Sequence, residues 1–172
     1  MKRALVVLAP GAEEMETVIV VDVLRRGGIE VVLAGLEGKA PVICSRSVRI
    51  LPDCDFGEVR GAFDLVVLPG GARGAEALAN SPAVQALLRR QAEEGRLVAA
   101  ICAAPIALAA AGVGRGRRLT SHPSVRDRLA GFGRYEEDRV VQDGNLVTSR
   151  GPGTATEFAV KLVELLEGRE TA

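Results

Sequence analysis

Leu97-Val98-Ala99-Ala100-Ile101-Cys102-Ala103-Ala104-Pro105 is an apolar run that ends in a cysteine, two small residues and a proline. A continuous apolar run of this length reads as a strand covered on both faces, the kind found in parallel sheets. Proline suits the first turn of a helix, where a missing N–H costs nothing. The stretch is therefore a strand turning sharply into a helix, with Cys102 at the bend. Such an elbow lifts its side chain off the sheet edge and sets it at a helix N-terminus, where free N–H groups favour thiolate over thiol. A buried apolar cysteine at a strand end is the plainer alternative.

The same rhythm extends in both directions. Ala4 to Leu8, Glu30 to Ala34 and Leu65 to Leu68 are further continuous apolar strands, while Glu14 to Arg26, Pro82 to Glu94, Pro105 to Ala111 and Thr154 to Leu166 have helical length and composition. Strands alternating with helices mean βαβ units, hence an α/β fold with a doubly wound, mostly parallel sheet and helices on both faces. Two segments break the alternation. Val42 to Leu51 alternates at the strand period around Ser45-Arg46, and Arg139 to Thr148 flanks Asp143-Gly144-Asn145, a hairpin signal; both are expected as antiparallel additions. The Gly-rich stretches at Gly112 to Gly116 and Gly131 to Gly133 are short enough to be connections, so residues 1–172 are expected to form one domain.

Charge and cysteine content narrow the function. The 22 basic residues balance 22 acidic ones, leaving no basic field for nucleic acid or an anionic membrane surface. The basic start Met1-Lys2-Arg3 leads into an apolar run ending at Ala9-Pro10-Gly11, too short for a signal-peptide core or a spanning helix; a cytoplasmic protein is expected. Cys44, Cys54 and Cys102 are then best read as reduced thiols. With one histidine, and neither CxxC nor HExxH spacing, no metal is assigned, and no cofactor is called for.

Three further segments gather chemistry around the elbow. Val66-Val67-Leu68-Pro69-Gly70-Gly71 is another buried strand, ending in a Gly pair that lets backbone N–H groups approach a ligand oxygen; it reads as an oxyanion hole or as a plain tight turn. Nucleotide binding is not supported, because Pro69-Gly70-Gly71-Ala72-Arg73-Gly74 fits neither the P-loop nor GxGxxG. Gly11-Ala12-Glu13-Glu14-Met15-Glu16-Thr17 brings three carboxylates to a helix start. Glu13 and Glu14 are accounted for as dipole complements, but Glu16 lies deeper, beside Ile19 and Val20, where desolvation raises a carboxyl pKa and keeps the group protonated as a donor. His122, in Thr120-Ser121-His122-Pro123, is the sole imidazole available to a cysteine and is as readily structural as functional. The helix carrying Glu16 is apolar over more than one stripe, through Val18-Ile19-Val20-Val21 and Val23-Leu24, so it is expected to be buried on two sides, one of them against a twofold-related subunit.

With these residues placed, the sequence resembles the DJ-1 subfamily of the DJ-1/PfpI superfamily over nearly its whole length. Five segments carry the likeness in order: Gly11 to Val18, Val66 to Gly71, Ala99 to Ala103, Thr120 to Pro123, and Thr148-Ser149-Arg150-Gly151-Pro152-Gly153-Thr154. The resemblance implies a flavodoxin-like fold and a homodimer through the first helix. It further implies Cys102 as nucleophile with Glu16 as its protonated partner, and His122 near the thiol without a firm triad. Gly70, Gly71 and Ala103 would supply backbone donors, and Arg46 and Arg26 would line the pocket near the dimer seam. There are departures: many members follow the Gly pair with Asn where this chain has Ala72, animal members carry a further C-terminal helix, and a cysteine familiar in animal members is Leu51 here.

The activity so implied is glutathione-independent glyoxalase chemistry on a small reactive carbonyl, extending to deglycation of proteins and nucleotides. The alternative is an oxidative-stress sensor with chaperone-like activity, in which Cys102 is oxidised to a sulfinate. Peptidase activity and a non-catalytic binding module rank below both.

Overall fold

A computed structural model describes residues 1–172. Six strands follow the first half of the chain: β1 (Arg3–Leu8), β2 (Glu30–Gly35), β3 (Val42–Ile43), β4 (Arg49–Ile50), β5 (Cys54–Asp55) and β6 (Leu65–Leu68). The second half adds β7 (Leu97–Ile101), β8 (Arg118–Leu119), β9 (Arg134–Tyr135), β10 (Val140–Asp143) and β11 (Leu146–Ser149). The helices are α1 (Glu14–Arg26), α2 (Ala72–Ala79), α3 (Pro82–Glu93), α4 (Pro105–Ala111) and α5 (Ala155–Glu167).

The main sheet has the order β10-β11-β7-β6-β1-β2-β5, parallel throughout except at the β10 edge. From β1 the chain crosses to β2 on one side, and from β6 it crosses to β7 on the other. Because such crossovers are right-handed, α1 and the α2–α3 pair must cover opposite faces. The helix packing agrees: α1 lies against α5, and α4 lies against α2 and α3. This is the doubly wound, flavodoxin-like α/β arrangement expected from the sequence, and it puts the reversal of strand order between β1 and β6. In open sheets of this kind the crevice outside the carboxyl ends of the strands at that reversal is where ligands bind.

The local chemistry explains the element ends. Ser81 accepts the Val84 N–H at the start of α3, with Pro82 next, and Gly112 takes φ +75 to close α4. Val66, Val67, Val98, Ala99, Ala100 and Ile101 are buried on both faces of the sheet and join one apolar core with Phe158 and Leu162 of α5. A satellite of Leu119, Leu129 and Phe132 supports the segment bearing His122.

Two expectations need correction. β3 and β4 pair only with each other, as a separate ribbon, and are not an extension of the main sheet. In the second hairpin only β10 is an antiparallel addition; β11 is a parallel neighbour of β7 inside the sheet, because its Leu146-Val147-Thr148-Ser149 side chains are all buried. Helix α2 and the short strands β5, β8 and β9 carry too little pattern to stand out in the sequence. Within one chain α1 is covered on a single side: Thr17, Val20, Val21 and Leu24 are buried, whereas Met15 and Val18 are about half exposed. No helix is long and apolar enough to cross a membrane.

Phe158 is the largest fully buried side chain. Phe158→Ala should lower the unfolding free energy by about 3–5 kcal/mol, read from urea denaturation with an unchanged m-value.

Candidate functional site

Cys102 terminates β7 with φ +65, one of two non-glycine residues in the left-handed region. For a side chain of this kind the conformation costs on the order of 1–3 kcal/mol and has to be held by its surroundings. Two backbone hydrogen bonds hold it: the Cys102 N–H donates to Ser149 O at 3.0 Å, and Cys102 O accepts the His122 N–H at 2.8 Å. The strand-to-helix elbow read from the sequence is thus present, and it leaves the thiol only 9% exposed.

Glu16 approaches from the neighbouring strand connection. It sits in the first turn of α1, whose N-cap is Glu13: the Glu13 carboxylate accepts the Glu16 N–H at 2.7 Å. The Glu16 side chain is fully buried beside the Cys102 thiol; its Oε2 accepts the Gly70 N–H at 2.7 Å, and its Oε1 is left without a hydrogen-bond partner. Burial pushes its carboxyl up to about 7, against the pull of the Gly70 N–H and of Cys102.

Burial also pushes the Cys102 thiol up, a charged Glu16 adds to that, and the Gly71 and Ala103 amides oppose it. The amides thus act in the direction expected of a helix start, against a larger effect of burial. The two acids titrate as a pair, and a proton on Glu16 removes the charge that opposes the thiolate.

The Gly pair is fixed by sterics. A Cβ on Gly70 would lie 2.5 Å from Cys102 Cβ and 2.7 Å from Glu16 Oε2, while one on Gly71, at φ +87, would lie 2.4 Å from Gly11 O. Only glycine lets β6 end this close to both acids. Their amides divide the work, since Gly70 is committed to Glu16 while those of Gly71 and Ala103 face the sulfur. Gly70 was expected among the donors to a substrate oxyanion; its hydrogen bond instead holds the carboxyl.

His122 comes close through its backbone, but its ring faces Ser124. Nδ1 lies 2.8 Å from the Ser124 hydroxyl and accepts the Ser124 N–H, capping the 3-10 turn Pro123–Leu129. Arg46 is exposed on the turn between β3 and β4. Arg26 does not join the others within one chain: it is at the far end of α1, about 15 Å along the helix axis from Glu16, and its guanidinium pairs with Asp22. No three or more His, Cys, Asp or Glu side chains are grouped to hold a metal.

One contributor was missed in the sequence. Glu14, assigned there to the helix dipole, is buried and accepts from the Ser45 hydroxyl at 2.6 Å and the Arg46 N–H at 2.7 Å. Burial opposes its ionisation, but these bonds and the Glu14 and Val48 amides outweigh that and hold its carboxyl below the ordinary range. The turn it grips is docked on the site loop through Ser45 N–H to Ala12 O and Gly11 N–H to Ile43 O. A Glu at a helix start and a distant Ser-Arg turn form no recognisable spacing, because the partners lie 31 and 32 residues apart.

The family model described as "DJ-1/PfpI family" matches residues 2–165. Protein DJ-1alpha of Drosophila melanogaster is 56% identical over 99% of this chain and 80% of its own length. A Caenorhabditis elegans relative, named glutathione-independent glyoxalase DJR-1.2, is 44% identical over 98% of this chain and 91% of its own. The crystal structure of Drosophila melanogaster DJ-1beta superposes with a TM-score of 0.97 at 56% identity, covering 99% of this chain and 92% of that one.

Two measurements test the site. Glu16 holds its proton more tightly folded than unfolded, so its contribution to stability is complete below about pH 4.5 and fades as pH rises through about 7. Across that window the wild type should lose about 3 kcal/mol more unfolding free energy than Glu16→Gln, and equal pH slopes would refute the raised carboxyl. Gly70→Ala should abolish alkylation of Cys102 by iodoacetamide at neutral pH, whereas Gly153→Ala, where a Cβ meets nothing within 4 Å, should leave it unchanged.

Proposed function

The chain belongs to the DJ-1/PfpI family, and from that premise we propose that it is a cysteine-dependent, glutathione-independent glyoxalase converting methylglyoxal to lactate and glyoxal to glycolate. The observation that carries the proposal is the fully buried Glu16, one oxygen bonded to Gly70 N–H and the other unpartnered, with its carboxyl beside Cys102 at a strained elbow. A C. elegans relative bearing a glyoxalase name supports it.

The chemistry proceeds from that pair. With the proton on Glu16, the Cys102 thiolate adds to the aldehyde carbon, forming a C–S bond and an oxyanion. The Gly71 and Ala103 amides stabilise the oxyanion, and Glu16 protonates it to give a hemithioacetal. Glu16, now a carboxylate, takes the proton from the carbon bonded to sulfur, giving an enediolate; return of that proton to the adjacent carbonyl carbon, with passage of the hydroxyl proton from the first oxygen to the second, leaves a 2-hydroxyacyl thioester. Water cleaves the C–S bond, releasing the hydroxy acid and the thiol. No electrons leave the system, because one carbon is oxidised as its neighbour is reduced. His122 has its Nδ1 engaged by Ser124, so any part it takes in the proton transfers would fall to Nε2. Removal of early glycation adducts uses the same addition to a carbonyl carbon.

A second reading rests on the same donors. Peroxide would convert the thiolate to a sulfinate whose oxygens meet the Gly71 and Ala103 amides and the protonated Glu16, making the site an oxidative-stress sensor. Either reading is served by a homodimer through α1, which exposes Met15 and Val18, with Ile43 and Val48 of the β3–β4 ribbon exposed as well. Arg26 would then serve a pocket only across that seam, and Arg46 from within its own chain.

Wild-type protein should form lactate from methylglyoxal without glutathione, while Cys102→Ser and Glu16→Gln should form less than about a hundredth as much, a loss of the size expected for a nucleophile and its acid–base partner. No lactate from the wild type would move the assignment to the sensor. Sedimentation at micromolar concentration should give a dimer for the wild type and a monomer for Val18→Glu; a monomeric wild type would end the dimer proposal.

A further inference from the structure

The segment Thr148-Ser149-Arg150-Gly151-Pro152-Gly153-Thr154 leaves β11 and enters α5 through a tight 3-10 turn, Pro152–Thr154. It is wound around one hydroxyl. Thr154 Oγ1 accepts the Arg150 and Gly151 N–H groups at 3.2 Å each, lies 3.1 Å from Gly151 O and 2.7 Å from Ser149 Oγ, and belongs to a buried residue. Ser149 Oγ donates to Arg139 O at 2.6 Å, so the Thr154 hydroxyl hydrogen is directed to Ser149 Oγ or Gly151 O. The hydroxyl thus has both its acceptor sites and its proton in use within a buried residue.

What this knot holds is the site. Ser149 O is the acceptor of the Cys102 N–H, one of the two backbone bonds fixing the left-handed elbow. Gly151 abuts the other arm, since a Cβ there would lie 3.6 Å from His122 Cδ2. The bonds of one hydroxyl therefore set both the strand end that anchors Cys102 and the backbone flanking the His122 ring. No direct contact joins Thr154 to the thiol.

We propose that Thr154 is a positioning residue of the Cys102 site: its hydroxyl, through Ser149 and Gly151, holds the elbow in the conformation that presents the sulfur to the Gly71 and Ala103 amides. The proposal rests on Cys102 as the reacting group and is independent of which carbonyl, if any, it turns over. If the hydroxyl is lost while the side chain keeps its shape, Arg150 N–H, Gly151 N–H and Ser149 Oγ are left without their shared partner, and the loop must rearrange to re-pair them.

The test compares Thr154→Val with Thr154→Ser, reading the rate of Cys102 alkylation by iodoacetamide against pH, mapped to the Cys102 peptide, alongside kcat and KM for methylglyoxal. For folded Thr154→Val, displacement of the sulfur from its amides should slow alkylation at neutral pH about tenfold, move its pH midpoint upward and lower kcat in parallel with KM unchanged. Thr154→Ser should stay within about twofold of the wild type, because the bonding atom is restored. A hydroxyl that served stability alone would lower the melting temperature without moving the alkylation profile. That result, or a Thr154→Ser variant as impaired as Thr154→Val, overturns the proposal. If Thr154→Val does not fold, Ser149→Ala should shift the profile in the same direction, and an unshifted profile overturns it equally. Should even the wild type make no lactate, the glyoxalase reading fails while the alkylation profiles still decide the role of Thr154.

Discussion

The 2.7 Å hydrogen bond from Gly70 N–H to the buried carboxyl of Glu16 spans the reversal of strand order between β6 and β1, and the site is built across it. It exists because the loop after β6 carries a residue without a side chain and the first turn of α1 carries a carboxyl inward. The same contact brings Glu16 against Cys102, since β7 is the next strand beyond β6. The Glu13 N–H returns the link by donating to Gly70 O at 2.9 Å, so the loop after β1 and the loop after β6 are cross-tied. Burying a carboxyl here raises its proton affinity, and that proton is what the thiol lacks if it is to react as a thiolate.

Strain and polarity are thereby placed where they are useful. An elbow cysteine in the left-handed region and a fully buried acid each reduce stability, and both are supported by rigid neighbours: apolar parallel strands below, and hydroxyl-rich turns at Thr120–His122 and Ser149–Thr154 beside them. The arrangement agrees with the general observation that local rules are broken at working sites and upheld elsewhere.

The parallel strands and the elbow were legible in the sequence because each depends on a run of adjacent residues: Leu97 to Pro105 encodes a strand, a bend and a helix start without reference to anything distant. Glu16 was legible for a similar reason, standing among apolar neighbours of its own helix. Features that depend on pairing were not. Leu146 to Ser149 reads as half of a hairpin, and only its placement beside β7 makes it an interior parallel strand. The commitment of Gly70 to Glu16, the grip of Glu14 on Ser45 and Arg46, and the separation of Arg26 from the site all follow from tertiary geometry that a spacing of residues does not carry. The family resemblance supplied roles for Cys102 and Glu16 but also drew in Arg26, which one chain alone does not bring to the site.

The central claim is that Glu16 holds a proton beside Cys102. Difference infrared spectra between wild type and Glu16→Gln at neutral pH test it directly. The account predicts that the substitution removes a protonated-carboxyl C=O band, and that Cys102→Ser shifts this band by changing its hydrogen-bond partner. Loss of carboxylate bands instead, with no protonated-carboxyl band in the wild type, would contradict it.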